Sequence, residues 1–442
     1  MMKSIWEESI SGVKMPVFSE PKENIKTDVL IIGGGMAGIL CAYMLKKSGI
    51  DCVILEAGNV LSGTTKNTTA KITFQHGLIY NDIINKYGIE NAKLYLKAQK
   101  EAIESFYNLS KKIPCDFFEC DAFVYSKNDR EKIEKEVEAY KRLGVDVSFY
   151  EEIPLPFSIS GAVKVEKQAQ FNPLKFIFGI LDNLKDLVIY ENTKVKEIKN
   201  NCAITDKAKI SAEKIIVATH FPFIDKHGGY FLKMYQHRSY VLALKNAPLY
   251  SGMYVDEDKK GMSFREYNGH LILGGGGHRT GKQGGGWNEL LEFSKKYYPN
   301  SEEVCRWAAQ DCITLDAIPY IGQYSRLTPS LYVATGFNKW GMTSSMVAAN
   351  ILNDLIQEKE NEYESLFSPS RSILHPQLLC NAFESVTGLL NPVTPRCTHL
   401  GCALKYNKHE HSWDCSCHGS RFSEKGEVIN NPSNKDLKMK KI

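Results

Sequence analysis

The chain has 442 residues with 55 basic against 51 acidic side chains and a formal net charge of +4, which is length enough for two to three domains. Its charges are interspersed apart from the terminal KDLKMKKI, expected as a solvated tail, so the basic face that nucleic-acid binding needs is absent. No apolar run reaches the length of a membrane-spanning helix and the start has no apolar h-region, so a cytoplasmic protein without a transmembrane segment is expected.

The first clear elements lie in TDVLIIGGGMAGILCAYMLKKSGIDCVILEAG. Val29 to Ile32 form an apolar run suited to a buried parallel strand, and Ala37, Leu40, Cys41, Met44 and Leu45 recur at helical spacing after it. Between them Gly33, Gly35 and Gly38 make G-x-G-x-x-G: a tight turn, a close backbone approach to a pyrophosphate, and close packing of helix on strand. Glu56 ends the next strand, eighteen residues past Gly38, where an acid accepts hydrogen bonds from a ribose. Strand, turn, helix and acid together predict a bound dinucleotide, with phosphates on the helix N-terminus.

Residues 91–165 contain charged helical stretches such as KNDREKIEKEVEAYKRLG, and 226–306 contain alternating strands such as RSYVLAL, GMSFREYN and HLILGGGG. They predict an antiparallel sheet with a helical side. Gly274 to Gly277 follow a strand but open no helix, so a turn is expected there and not a phosphate loop. Between these blocks, IIVATH ends a further apolar strand at His220; later, LYVATGFNKWGMTSSMVAANILNDLI runs strand, turn and helix, with Gly341 before a helix from Met342 to Ile356.

These segments together resemble the D-amino-acid oxidase and glycine oxidase superfamily of FAD-dependent oxidoreductases over about residues 25–370. The resemblance implies an α/β fold with a two-dinucleotide-type, glutathione-reductase-like FAD domain and an antiparallel substrate domain. It assigns 1–90, 166–225 and 307–370 to the first and 91–165 and 226–306 to the second. Implied FAD contacts are Gly33, Gly35, Gly38, Glu56, Thr65, Lys71, Val195, Ala218, Gly336, Gly341 and Met342. GTTKNTTAKITFQHG matches the loop along the flavin; some relatives bind FAD covalently through a histidine there, but Asn67 stands at that position, so non-covalent FAD is expected. Catalytic candidates are Lys339 and Trp340 in the turn before the late helix, His76, and Arg265 as a clamp for a substrate carboxylate. Further pocket candidates are Tyr235, His237, Arg238, Tyr254, Tyr267, His278 and Arg279, and no general base stands out.

Of twelve cysteines, Cys41, Cys52, Cys115, Cys120, Cys202, Cys305, Cys312 and Cys380 are scattered, as expected of reduced thiols. The other four fall in CTHLGCALKYNKHEHSWDCSCHGSRF. Cys397-x-His399 and Cys415-x-x-His418 alone would suit zinc. The added Cys402 and Cys417, in step on the two segments, make CTHLGC and CSCHGS resemble the cluster loops of Rieske proteins. That resemblance implies Cys397 and Cys415 on one iron of a [2Fe-2S] cluster, His399 and His418 on the other, and a Cys402–Cys417 disulfide. Ser416 replaces the usual proline and Phe422 the usual tyrosine; with one phenolic hydrogen bond fewer, a potential below the top of the range from about −150 to +300 mV is expected. The Rieske part is placed at 396–442 behind a linker, 371–395, whose prolines and glycine leave no room for the usual base of strands, so the cluster subdomain is expected to rest directly on the flavoprotein.

The combination implies an oxidoreductase that oxidises a small amine, amino acid or similar C–H donor at flavin N5 and passes electrons singly through the cluster to an external acceptor of unknown identity. Three alternatives stay open: an O2-using oxidase with a structural cluster, reverse flow from a donor through the cluster to the flavin, and a redox sensor that is not an enzyme.

Overall fold

The structure is a computed structural model and describes residues 3–12, 16–224, 226–258, 260–392 and 395–438. The end of the basic tail, 439–442, lies outside the described residues. Within them three sheets of eight, nine and four strands stand side by side.

The eight-stranded sheet runs Tyr320–Gln323, Leu331–Thr335, Lys209–Val217, Ile25–Ile32, Cys52–Leu55, Val188–Tyr190, with a small hairpin attached to Lys209–Val217. Its central pairs are parallel, and Val29 to Ile32 are buried on both faces, which is why this run alternates so little. The helices Met36–Lys47 and Gly341–Ile356 pack together on one face of it.

The nine-stranded sheet runs Glu302–Thr314, Met234–Lys245, His270–Arg279, Ser263–Tyr267, Met253–Asp256, Phe118–Ser126, Gly161–Gln170, Lys71–Ile72, with Ser148–Tyr150 beside Gly161–Gln170. It is antiparallel except where Met253–Asp256 lies parallel to Phe118–Ser126. Gly274 to Gly277, expected as a turn, are inside the strand His270–Arg279. The helix Gly286–Tyr297 lies so close on that strand that a Cβ at Gly276 would overlap the Gly286 carbonyl; the glycines serve packing.

The four-stranded antiparallel sheet is Leu404–Asn407, Ser412–Cys415, Arg421–Ser423, Val428–Asn430. Before it, the stretch expected as a broken linker holds the helix Pro376–Leu390. Pro376 sits at its first turn, where a missing N–H costs nothing, and the His375 ring accepts the Gln377 amide as a cap. This helix is inverted: Asn381 and Ser385 face the protein while Leu379, Phe383, Val386 and Leu390 are turned outward. Among the described residues no helix is long and apolar enough to cross a membrane.

Candidate active site and metal centre

The parallel strands Ile25–Ile32, Cys52–Leu55 and Lys209–Val217 end side by side, bringing Gly33, Glu56 and Ala218 together. A Cβ on Gly38 would overlap the Gly33 carbonyl, so this glycine lets the helix Met36–Lys47 start against the turn. Thr65 Oγ1 accepts the Met36 amide at 3.0 Å, tying the predicted flavin loop to the helix N-terminus. Glu56 takes the Gly34 amide on one oxygen and the Gly58 amide on the other, both at 2.8 Å. Burial raises its pKa and these amides offset part of the rise, and the residue lines a cavity.

That cavity, of about 1150 Å³, has room for a dinucleotide and a small molecule beside it. It joins Gly33, Gly35, Glu56, Thr65, Lys71, His76, Val195, Ala218, Lys339, Trp340, Gly341 and Met342. The residues fit FAD: space at the glycine turn, an acid at the nucleotide end, and the N-terminus of the helix Gly341–Ile356 at the other. Gly38 lies under the turn, and Gly336 is packed against Thr314 and Met234 instead of lining the cavity.

Two catalytic candidates are corrected. Arg265 is 1% exposed and donates to the carbonyls of Thr69, at 2.6 Å, and Ala70, at 2.8 Å. It pins the flavin loop from behind and is not a substrate clamp. His76 has both ring nitrogens engaged, Nδ1 with Tyr95 Oη at 2.7 Å and Nε2 with Thr73 O at 2.8 Å, and burial pushes its pKa down to about 3. It is a neutral wall, stacked on the Trp340 indole with centroids 5.0 Å apart. Lys339 and Trp340 do stand at the cavity, on a turn where Asn338 and Lys339 both take positive φ. Asn338 holds that turn by accepting the Thr314 amide at 2.8 Å and donating to Gly336 O at 2.6 Å. Burial, and Arg265 nearby, bring Lys71 down to about 7.

Of the wider set, Tyr254 and Tyr267 are core residues, Arg238 is ion-paired to Glu410, and Arg279 reaches the cluster loop. Sequence reasoning missed Asp311, which lines the cavity from the edge strand Glu302–Thr314. Burial raises its carboxyl to about 6, with Lys339 and Arg238 pulling the other way. The signal for it was a lone acid inside the half-apolar strand AAQDCIT.

The loops Cys397–Cys402 and Cys415–Ser420 meet at the end of the small sheet. The Sγ atoms of Cys402, Cys415 and Cys417 lie within 4.8 Å of one another, and the Cys397 and Cys415 thiols are hydrogen-bonded. The His399 and His418 rings are perpendicular with centroids 5.0 Å apart. His418 is 1% exposed, its Nδ1 is buried with no hydrogen-bond partner among the described residues, and its Nε2 is 3.3 Å from Ser385 Oγ. The paired Cys397 and Cys415 thiols, the neighbouring His399 and His418 rings and the bare His418 Nδ1 fit a [2Fe-2S] cluster, which these four residues would hold. Ser420 and the His399 amide hydrogen-bond the Cys397 sulfur. All twelve cysteines are free thiols here, so the expected Cys402–Cys417 disulfide is not formed; the two thiols are hydrogen-bonded to each other, one oxidation short of it.

The cluster loop is seated on the nine-stranded sheet. Arg279 donates to Ser416 O at 3.0 Å and Cys417 O at 2.9 Å, Gln236 to His418 O at 2.8 Å, and Gln310 to Gly419 O at 2.8 Å. Glu410 closes a buried network with Arg238 and Arg421. Asn434 donates to Val195 O and Lys196 O, both at 3.2 Å, so the last residues also reach the nucleotide end.

A family model described as FAD dependent oxidoreductase matches residues 28–355, and one described as Rieske [2Fe-2S] domain matches 381–441. The Bacillus subtilis protein YhfW, named for a Rieske 2Fe-2S iron-sulfur centre, is 37% identical over 97% of this chain and 96% of its own length. Gamma-glutamylputrescine oxidoreductase of Escherichia coli is 24% identical over 80% of this chain and 89% of its own. The crystal structure of glycine oxidase from Geobacillus kaustophilus superposes with a TM-score of 0.67 at 19% identity, covering 79% of this chain and all of that one, which shows a shared fold.

Proposed function

The chain belongs to the FAD dependent oxidoreductase family and carries a Rieske [2Fe-2S] domain behind it, an amine- or amino-acid-dehydrogenase-like architecture; from that premise we propose that it oxidises a small amine or amino acid and delivers the electrons one at a time, through the cluster, to an external acceptor. The observation that carries this reading is that the cluster loop is bonded to the wall of the flavin cavity: Gln310 lines the cavity and donates to Gly419, next to the ligand His418. The substrate class rests on the fold shared with glycine oxidase and on the relative named for gamma-glutamylputrescine.

When bound, FAD supplies a two-electron acceptor and the [2Fe-2S] cluster a one-electron one. The chain's own residues prepare the site. Trp340 and His76 form a stacked wall of the cavity. Lys339 and Asp311 offer opposite charges at the cavity, suited to the carboxylate and ammonium of an amino acid. An Asp311 carboxylate oxygen takes the proton that an ammonium must lose before its neighbouring C–H can be oxidised. The amides opening the helix Gly341–Ile356 would favour negative charge on a cofactor ring bound at that end of the cavity.

Anaerobic stopped-flow absorbance with a panel of amines, amino acids and 2-hydroxy acids tests the reading. An amine or amino acid should bleach the flavin and then the cluster; bleaching by 2-hydroxy acids alone would refute the substrate class, and a cluster that stays oxidised would refute the route.

A further inference from the structure

The two histidines of the cluster are not equivalent. His399 is partly exposed, and its neighbour Leu400 is 40% exposed. His418 is 1% exposed: Ser385 meets its Nε2 and its carbonyl is held by Gln236, while Phe231 packs edge-on to both rings, at 5.8 Å from His418 and 6.5 Å from His399. Four consecutive carbonyls, Ser416 to Gly419, each accept a hydrogen bond from a side chain of the nine-stranded sheet, so this loop has one register on that surface.

Two of the donors are a buried glutamine pair on adjacent strands. Gln310 Nε2 bridges Gln236 Oε1, at 2.6 Å, and Gly419 O; Gln236 Nε2 bridges His418 O and Asn431 O, at 2.8 and 2.7 Å. Thr280 Oγ1 donates to Gln310 Oε1 at 3.4 Å. The backbone of Gln310 meets the ring of His220, which lines the same cavity as Gln310 itself. Asn431 in turn donates to Thr219 O and Phe221 O, both at 3.4 Å, on either side of His220. A continuous hydrogen-bonded path therefore joins the cavity wall to His418.

We propose that His418 is the ligand through which the cluster exchanges electrons with the cavity, and that Gln310 and Gln236 are positioning residues that hold it there; this rests on the electron route proposed above. Each exchange moves one electron, oxidising reduced flavin by one equivalent and reducing one ferric iron to ferrous, and no bond in the protein is made or broken. His399, beside Leu400, is left as the ligand nearest solvent.

The test needs no substrate. In the full chain with both centres loaded, bound flavin is photoreduced by a light flash under argon with EDTA as donor, and the reduced cluster is followed by absorbance and by EPR. Gln310→Met and Gln236→Met should each slow cluster reduction about tenfold, the factor one lost hydrogen bond can add to a barrier, with flavin photoreduction and the EPR g-values unchanged. Gln310→Asn, which keeps an amide but draws it back, should fall in between, and Leu400→Ala beside His399 should match the wild type. A wild-type cluster that never follows the flavin would sink the electron route and this inference with it. Variants as fast as a competent wild type, or an equal slowing by Leu400→Ala, would overturn only the assignment to His418.

Discussion

Both cofactor sites depend on glycine, but for opposite reasons. At the nucleotide end Gly38 lets a helix begin against its own preceding turn, within one short stretch of chain. At the cluster end Gly281 and Gly419 let distant segments touch: a Cβ on the first would overlap the Ser416 backbone, and on the second the Gln236 side chain. The first kind of glycine builds a ligand site and the second builds a joint between sites. Substitutions should separate them.

The largest effect is expected at a ligand. Cys415→Ser should abolish cluster assembly, measured as iron and acid-labile sulfide near zero, while the flavin absorbance of the purified protein survives. Gly38→Val should do the reverse, emptying the flavin site because the helix can no longer approach Gly33, with the cluster's EPR signal retained. If either substitution removed both cofactors, the two sites would be one cooperative unit and the comparison would break.

This contrast also explains what could be read from the chain. The nucleotide turn, the acid at Glu56 and the cysteine–histidine pairs are local patterns whose spacing is set by the ligand; the turn and the acid line one cavity, and the His399 and His418 rings are neighbours. Arg265 misled because a buried arginine can satisfy carbonyls as well as it can bind a carboxylate. The helix Pro376–Leu390 was hidden by the prolines at its start and beyond its end and by apolar residues that face outward. Gln236, Gln310 and Gly281 carry no local signature, since their partners lie more than one hundred residues away in the chain.

A third substitution sharpens the joint. Gly281→Val should leave both cofactors bound and loosen the cluster loop from the sheet, seen as faster amide exchange over 415–420. The same joint should respond to acid. Burial pushes the Glu410 carboxyl up, but Arg238 and Arg421 outweigh it and hold it at about 2 against an ordinary 4.5. A depressed folded-state pKa means the stabilisation is whole above about 4.5 and is lost as pH falls toward 2, on the order of 3 kcal/mol in all. Glu410→Gln should flatten that part of the stability profile; an unchanged profile would place the acid sensitivity elsewhere, for example in Asp316 with Arg371.

The smallest effect concerns tuning. Ser420→Ala removes a hydrogen bond to the Cys397 sulfur, so the cluster's potential should fall while its iron content holds, as checked by a redox titration.

The central claim is that the two centres share electrons. Anaerobic titration of the loaded protein with the best amine or amino-acid substrate, with flavin absorbance and cluster EPR read at each point, tests it most directly. The account predicts uptake of about three electron equivalents per chain, two bleaching the flavin and one developing the reduced-cluster signal. Saturation at about two, with the flavin fully bleached and the cluster still oxidised, would contradict it.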